Sequence, residues 1–217
     1  MARNASPSWL LAVAAVFAVV MIGADWLTAG PDLKLTREDG AIETVSMALY
    51  AYAALCWLIL NPPAIRARFW HVPAVLLLMA GRELDLDVAF TTPGILTTAL
   101  DFTERAPVWQ RLLGAAVVGL LTTIAWRLIT LHGRAFIEGL KSGSVAACSV
   151  AGALGLAAGS ILIDGLGRKL RPLGIDLPDR IDSLAGAGEE IMEAFIPFLL
   201  ITAIIAAARS RNRQAHP

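Results

Sequence analysis

Apolar residues come in blocks of about twenty, separated by short polar stretches, rather than in the alternation that an amphipathic soluble helix or a half-buried strand requires. The blocks lie at 9–27, 41–60, 69–89, 111–131, 144–163 and 189–208. Each is long enough to cross a hydrocarbon core of about 30 Å at about 1.5 Å per residue. The pattern predicts an all-α polytopic transmembrane bundle of six helices. Residues 1–208 form a single transmembrane domain and 209–217 a basic cytoplasmic tail, expected to be disordered. Trp9, Trp26, Trp57, Trp109 and Trp126 lie near block ends, where the membrane–water interface favours indole. The first block is too long for a signal peptide's apolar region and has no small-x-small cleavage site, so it reads as a retained helix. Asn61-Pro62-Pro63 stops the second block, because proline cannot continue a helix.

The third block is unlike the others. It opens on Val72–Ala80, all apolar, and then carries Arg82, Glu83, Asp85 and Asp87. Nine apolar residues cannot cross the core, so the helix is expected to run on to Ala89 with its later half facing protein or water. Charged groups at such depth are costly and mark a functional site by default.

Composition supports the membrane reading: 57% of the 217 residues are hydrophobic and 17% charged, and the mean hydropathy is +0.65. The 18 basic and 18 acidic residues balance, so net charge points neither to nucleic acid nor to an acidic partner. Their distribution is uneven. With six crossings both termini share one side, which holds Arg3, Arg66, Arg68, Arg127, Arg134, Lys141, Arg209, Arg211 and Arg213, and Glu138 as its one acid. Its short loops make it the denser in Lys and Arg, which places the termini in the cytoplasm. Cys56 and Cys148 each lie within an apolar block, without CxxC spacing, and are expected to be buried free thiols. Gly155 and Gly159, four apart, are expected to bring helices close together.

The acids of the opposite, extracytoplasmic side cluster at helix ends. Glu43 opens the second helix, Glu83 and Asp85 lie in the outer part of the third, Asp164 closes the fifth, and Glu190 and Glu193 lie in the first turns of the sixth. Glu83 with Asp87 (i,i+4), Arg82 with Asp85 and Glu190 with Glu193 (both i,i+3) can each share a helix face. Acids in a first turn also complement the helix dipole, which accounts for Glu43, Glu189 and Glu190 without a site. It does not account for the third helix, whose charges lie at the other end. A buried salt-bridge network that fixes helix packing is the plainest alternative.

In the functional reading, Glu43, Glu83, Asp85, Asp164, Glu190 and Glu193 bind a proton or hard cation in transport or coupling, with Arg82 as counter-ion and Arg168 or Lys169 as a second. An oxygen-only metal set of Glu43, Glu83, Glu190 and Glu193 would take Mg, Ca or Mn. His71, His132 and His216 fall on the opposite side, which disfavours a zinc site and a Ser-His-Asp arrangement; His71 reads as an interfacial residue. Two rival readings stand beside this one. The first is a divalent-metal-dependent membrane enzyme acting on a lipid or lipid-linked substrate, with Thr44 or Ser46 as the nearest hydroxyls. The second is a small structural subunit of a larger membrane complex. The partners expected are the lipid bilayer, further copies of the chain or such a complex, and no nucleic acid.

Three motifs add a resemblance: Arg37-Glu38-Asp39-Gly40-Ala41-Ile42-Glu43, Arg82-Glu83-Leu84-Asp85 followed by Phe90-Thr91-Thr92, and Glu189-Glu190-Ile191-Met192-Glu193. Together they resemble a family of uncharacterised bacterial multi-pass inner-membrane proteins, which brings no settled activity. Its members often carry a His and a basic residue after the Arg-Glu-Leu-Asp run, where this chain has Val88 and Ala89. The Glu-Glu pair is also similar to the glutamate motif of CAAX-type intramembrane proteases. Their downstream Arg and their histidines at the same depth are not found here.

Overall fold

The computed structural model describes residues 7–29, 41–86 and 107–215, and among these every regular element is helical. They are α1 (Trp9–Ala29), α2 (Ala41–Leu60), α3 (Pro63–Arg68), α4 (His71–Glu83), α5 (Val108–Lys141), α6 (Val145–Ile163), α7 (Leu166–Leu170) and α8 (Asp179–Ala215), with a 3-10 turn at Arg171–Leu173. Four of them, α2, α5, α6 and α8, are long and apolar enough to cross a membrane, as a multi-pass membrane protein requires. The apolar part of α1 is shorter, Trp9–Asp25.

The centre of the bundle is α2, packed against α1, α4 and α8, while α8 makes its broadest contact with α6. Val45, Leu49, Tyr50, Ala53 and Cys56 of α2 meet Leu10, Ala14 and Ala18 of α1, Leu76 and Ala80 of α4, and Ile196, Ile201 and Ile205 of α8. The Tyr52 hydroxyl donates to the Leu10 carbonyl at 3.0 Å and ties α1 to α2. In contrast, α5 buries only Gly114 and Ile124 and leaves its apolar surface open. A water-soluble core would not leave such a surface; lipid would cover it.

Several boundaries differ from expectation. The third helix does not run over 69–89. It stops at Glu83, Leu84 caps it, and Asp85 takes a left-handed φ of 48°. At 13 residues α4 is about 20 Å long, two-thirds of a hydrocarbon core. Arg82 and Glu83 therefore sit in its last turn rather than mid-helix, and Asp87 lies outside the described residues. Elsewhere helices outrun their apolar blocks. The connection expected at 132–143 is the last third of α5, since it holds no proline and Arg134 pairs with Glu138 at i,i+4, 2.8 Å apart. The short helix expected near 178–184 and the sixth block are one continuous α8, and the tail is helical through Ala215 instead of disordered. Glu189, Glu190 and Glu193 therefore lie inside that helix rather than in its first turns, where its dipole would favour them. Hydropathy bounds the crossing segment, whereas the helix continues until a proline or a left-handed residue stops it.

Two packing expectations also change. The glycines of α6 that meet α8 are Gly152 and Gly159, whose added Cβ atoms would lie 3.2 Å from Leu199 Cδ1 and 3.2 Å from Met192 Sδ, whereas Gly155 faces open space. Cys56 is buried as expected, but Cys148 is exposed, on the flank of α6 turned away from its buried Ala147 and Ser149. A further close approach joins α5 to α6. A Cβ on Gly139 would stand 2.8 Å from Ala147 Cβ.

Candidate functional site: an acidic pocket around Arg82

The helical period brings Glu83 inward. Leu76, Ala80 and Glu83 follow i, i+4, i+7 along α4, so the carboxylate lies on the stripe that buries Leu76 and Ala80 against α2. The Glu83 side chain is 7% exposed. The next face carries Arg82, whose 55% exposed side chain reaches across to α8. There Arg82 Nη2 donates to Glu193 Oε1 at 2.7 Å, and the Ser160 hydroxyl of α6 donates to the same oxygen at 3.1 Å. Arg82 Nε is 4.0 Å from Glu83 Oε1, so the short bond goes to Glu193 and the looser contact to Glu83.

On α2, Glu43, Ser46 and Tyr50 share a face at i, i+3, i+7, and Glu43 and Tyr50 lie within electrostatic range of Glu83. Tyr50 is 1% exposed, and the charges of Glu83, Arg82 and Glu193 act on its hydroxyl. Ser46 is also 1% exposed, and its hydroxyl has no hydrogen-bond partner among the described residues. Such an orphan in an apolar interior costs about 1–3 kcal/mol. Glu43 and Glu193 lie within electrostatic range of Glu83, and Glu43, Glu189 and Glu193 within range of Glu190. On α8, Pro197 has no N–H to offer the Glu193 carbonyl four residues earlier, which loosens the helix at that turn.

Of the acids named from sequence, then, Glu83 and Glu193 contact Arg82, and Glu43 and Glu190 lie within electrostatic range of them. Asp85 is exposed at the rim, just past the end of α4. Asp164 caps α6 and faces Arg168 at 3.8 Å and Lys169 at 3.7 Å, so those two cations serve Asp164 rather than Glu83. Among the described residues no group of three or more His, Cys, Asp or Glu side chains stands close enough to hold a metal ion. The oxygen-only set Glu43, Glu83, Glu190 and Glu193 is not assembled as ligands. Arg82 lies between Glu83 and Glu193, and a guanidinium beside carboxylates supplies positive charge as a metal would.

Three participants are not among the residues the sequence singles out as ligands. Tyr50 and Ser46 are legible as the residues one and two turns along the face of Glu43. Ser160 is not, since a serine in a membrane helix more often bonds its own backbone.

The opposite end of the bundle holds a second polar group. His71, expected at the interface, is fully buried, and its Nε2 lies 3.2 Å from His132 Nε2. Arg127 Nε donates to His71 Nδ1 at 3.2 Å and Arg127 Nη2 to the Arg68 carbonyl at 2.6 Å. These contacts tie the start of α4 to α5.

The comparisons with known proteins decide nothing further. No family model, curated protein or solved structure matches the chain.

Proposed function

We propose that this is a bacterial inner-membrane protein of six crossings with cytoplasmic termini, whose extracytoplasmic acidic pocket binds a proton in transport or coupling. Glu83 is the proton carrier, Arg82 the counter-ion, and Glu43, Glu190 and Glu193 the surrounding acids. The observation that carries the reading is the unequal sharing of Arg82: its short bond goes to Glu193, while nearly buried Glu83 keeps only a 4.0 Å contact. A carboxylate in that position is neutralised most simply by a proton. Proton uptake at Glu83 would free Arg82 wholly for Glu193, so the charge state of α4 is read out on α8, beside the turn that Pro197 loosens. A proton is preferred to a hard cation because the acids do not converge as ligands and already surround a cationic side chain.

The test is proton flux in liposomes loaded with a pH-sensitive dye, with infrared difference spectra on the same protein. Glu83→Gln is expected to abolish the flux and the protonated-carboxyl band, while Glu138→Gln, on α5 and paired with Arg134, leaves both. Equal flux and an unchanged band in wild type and Glu83→Gln would overturn the proposal.

A further inference from the structure

At the Asn61 end of α2 the polar groups are cationic. Arg127 is pinned by its bonds to His71 and the Arg68 carbonyl and lies over the Trp70 ring, 5.8 Å from its centroid. The Arg68 guanidinium lies over Phe69, 5.2 Å from that centroid. A guanidinium only donates, so His71 Nδ1 accepts, its Nε2–H is directed to His132 Nε2, and the His132 proton resides on Nδ1. Both imidazoles are therefore neutral and offset none of the charge. Among the described residues no carboxylate lies within salt-bridge distance of Arg66, Arg68 or Arg127. Arg127 is held against the Arg68 backbone, and two guanidiniums carried by adjoining segments without an acid make a site for an anion.

Its level in the bundle says which anion. The segments α2 and α4 end and begin here, at Leu60 and His71. Along α5, Arg127 lies about 28 Å from Val108, one hydrocarbon thickness. Trp126 is 69% exposed and Trp70 38%, as indoles at a membrane interface are. The open apolar flank of α5 runs directly away from the arginines and would receive acyl chains.

We propose that Arg68 and Arg127 bind the phosphate of an anionic phospholipid headgroup. This inference rests on the multi-pass membrane reading and is independent of proton binding at Glu83. The experiment places the full chain in phosphatidylcholine nanodiscs with increasing phosphatidylglycerol and counts retained lipid by native mass spectrometry. Wild type is expected to retain phosphatidylglycerol over phosphatidylcholine. Arg68→Gln, which keeps the backbone carbonyl that Arg127 uses, is expected to weaken retention about fivefold, and Arg68→Gln with Arg127→Gln more strongly. Arg134→Gln, whose partner is Glu138, is expected to change little. Equal retention of the two lipids, or an equal loss in Arg134→Gln and Arg68→Gln, would overturn the proposal. So would inorganic phosphate displacing phosphatidylglycerol at equal concentration, which would assign the site to a free anion. If the double variant fails to fold, Arg68→Gln alone decides.

Discussion

The two ends of α4 are held by opposite kinds of chemistry. At its last turn Arg82 bridges to Glu193, a pairing of unlike charges with Glu83 as a second, looser acid at 4.0 Å. At its first turn His71 is fixed between Arg127 and His132, where no acid takes part and direction comes from which nitrogen donates. The acidic end can change charge without losing its framework, because Glu193 keeps its short bond to Arg82 whatever the charge on Glu83. The basic end cannot, because protonating either imidazole would place two N–H groups against one another. One end is suited to respond and the other to anchor.

That contrast can be broken by substitution. The largest effect is expected for Arg82→Ala, which leaves Glu83 and Glu193 close together without their counter-charge. Removing one partner of a fully buried pair costs about 3–5 kcal/mol; with Arg82 more than half exposed, about 2 kcal/mol is expected. Thermal unfolding in micelles measures the loss, and adding Glu193→Gln should restore part of it. A smaller loss, about 1–2 kcal/mol, is expected for His71→Leu, which keeps volume but leaves Arg127 Nε without its acceptor. Unlike Arg82→Ala, it should not be rescued by Glu193→Gln.

Gly139→Ala, which forces a Cβ to within 2.8 Å of Ala147 Cβ, is expected to cost about 1 kcal/mol or more in the same assay. Gly155→Ala, with nothing within 4 Å, should be neutral or slightly stabilising through helix propensity. The smallest effect belongs to Arg134→Ala, since its pair with Glu138 is exposed and worth at most about 0.5 kcal/mol. A large loss there would erase the distinction between the two ends and an ordinary solvated helix face.

Much of the acidic end is legible in the amino-acid sequence. Charges following an apolar run stand out because lipid tolerates few of them, and their helical spacing places Glu83 with Leu76 and Ala80 on one stripe. Its geometry is not legible. Nothing local predicts that Asp85 adopts a positive φ and ends α4, or that Arg82 chooses Glu193, 111 residues away, over its neighbour Glu83. The basic end is hidden altogether, because His71 next to Trp70 looks like any interfacial pair until α5 supplies His132 and Arg127. The reach of α5 and α8 past their apolar blocks is hidden for a different reason: a polar stretch can leave the membrane and remain helical.

The chain by itself determined that it is helical and where its apolar segments lie. Those properties follow from solvent exclusion and from the 3.6-residue period, both of which act locally. Only the tertiary structure decided which acid holds the arginine, that Arg82 lies between Glu83 and Glu193, and that a buried imidazole pair closes the other end. Those choices depend on distances between side chains of different helices, which the packing of α2 against α4 and α8, and of α4 against α5, alone sets.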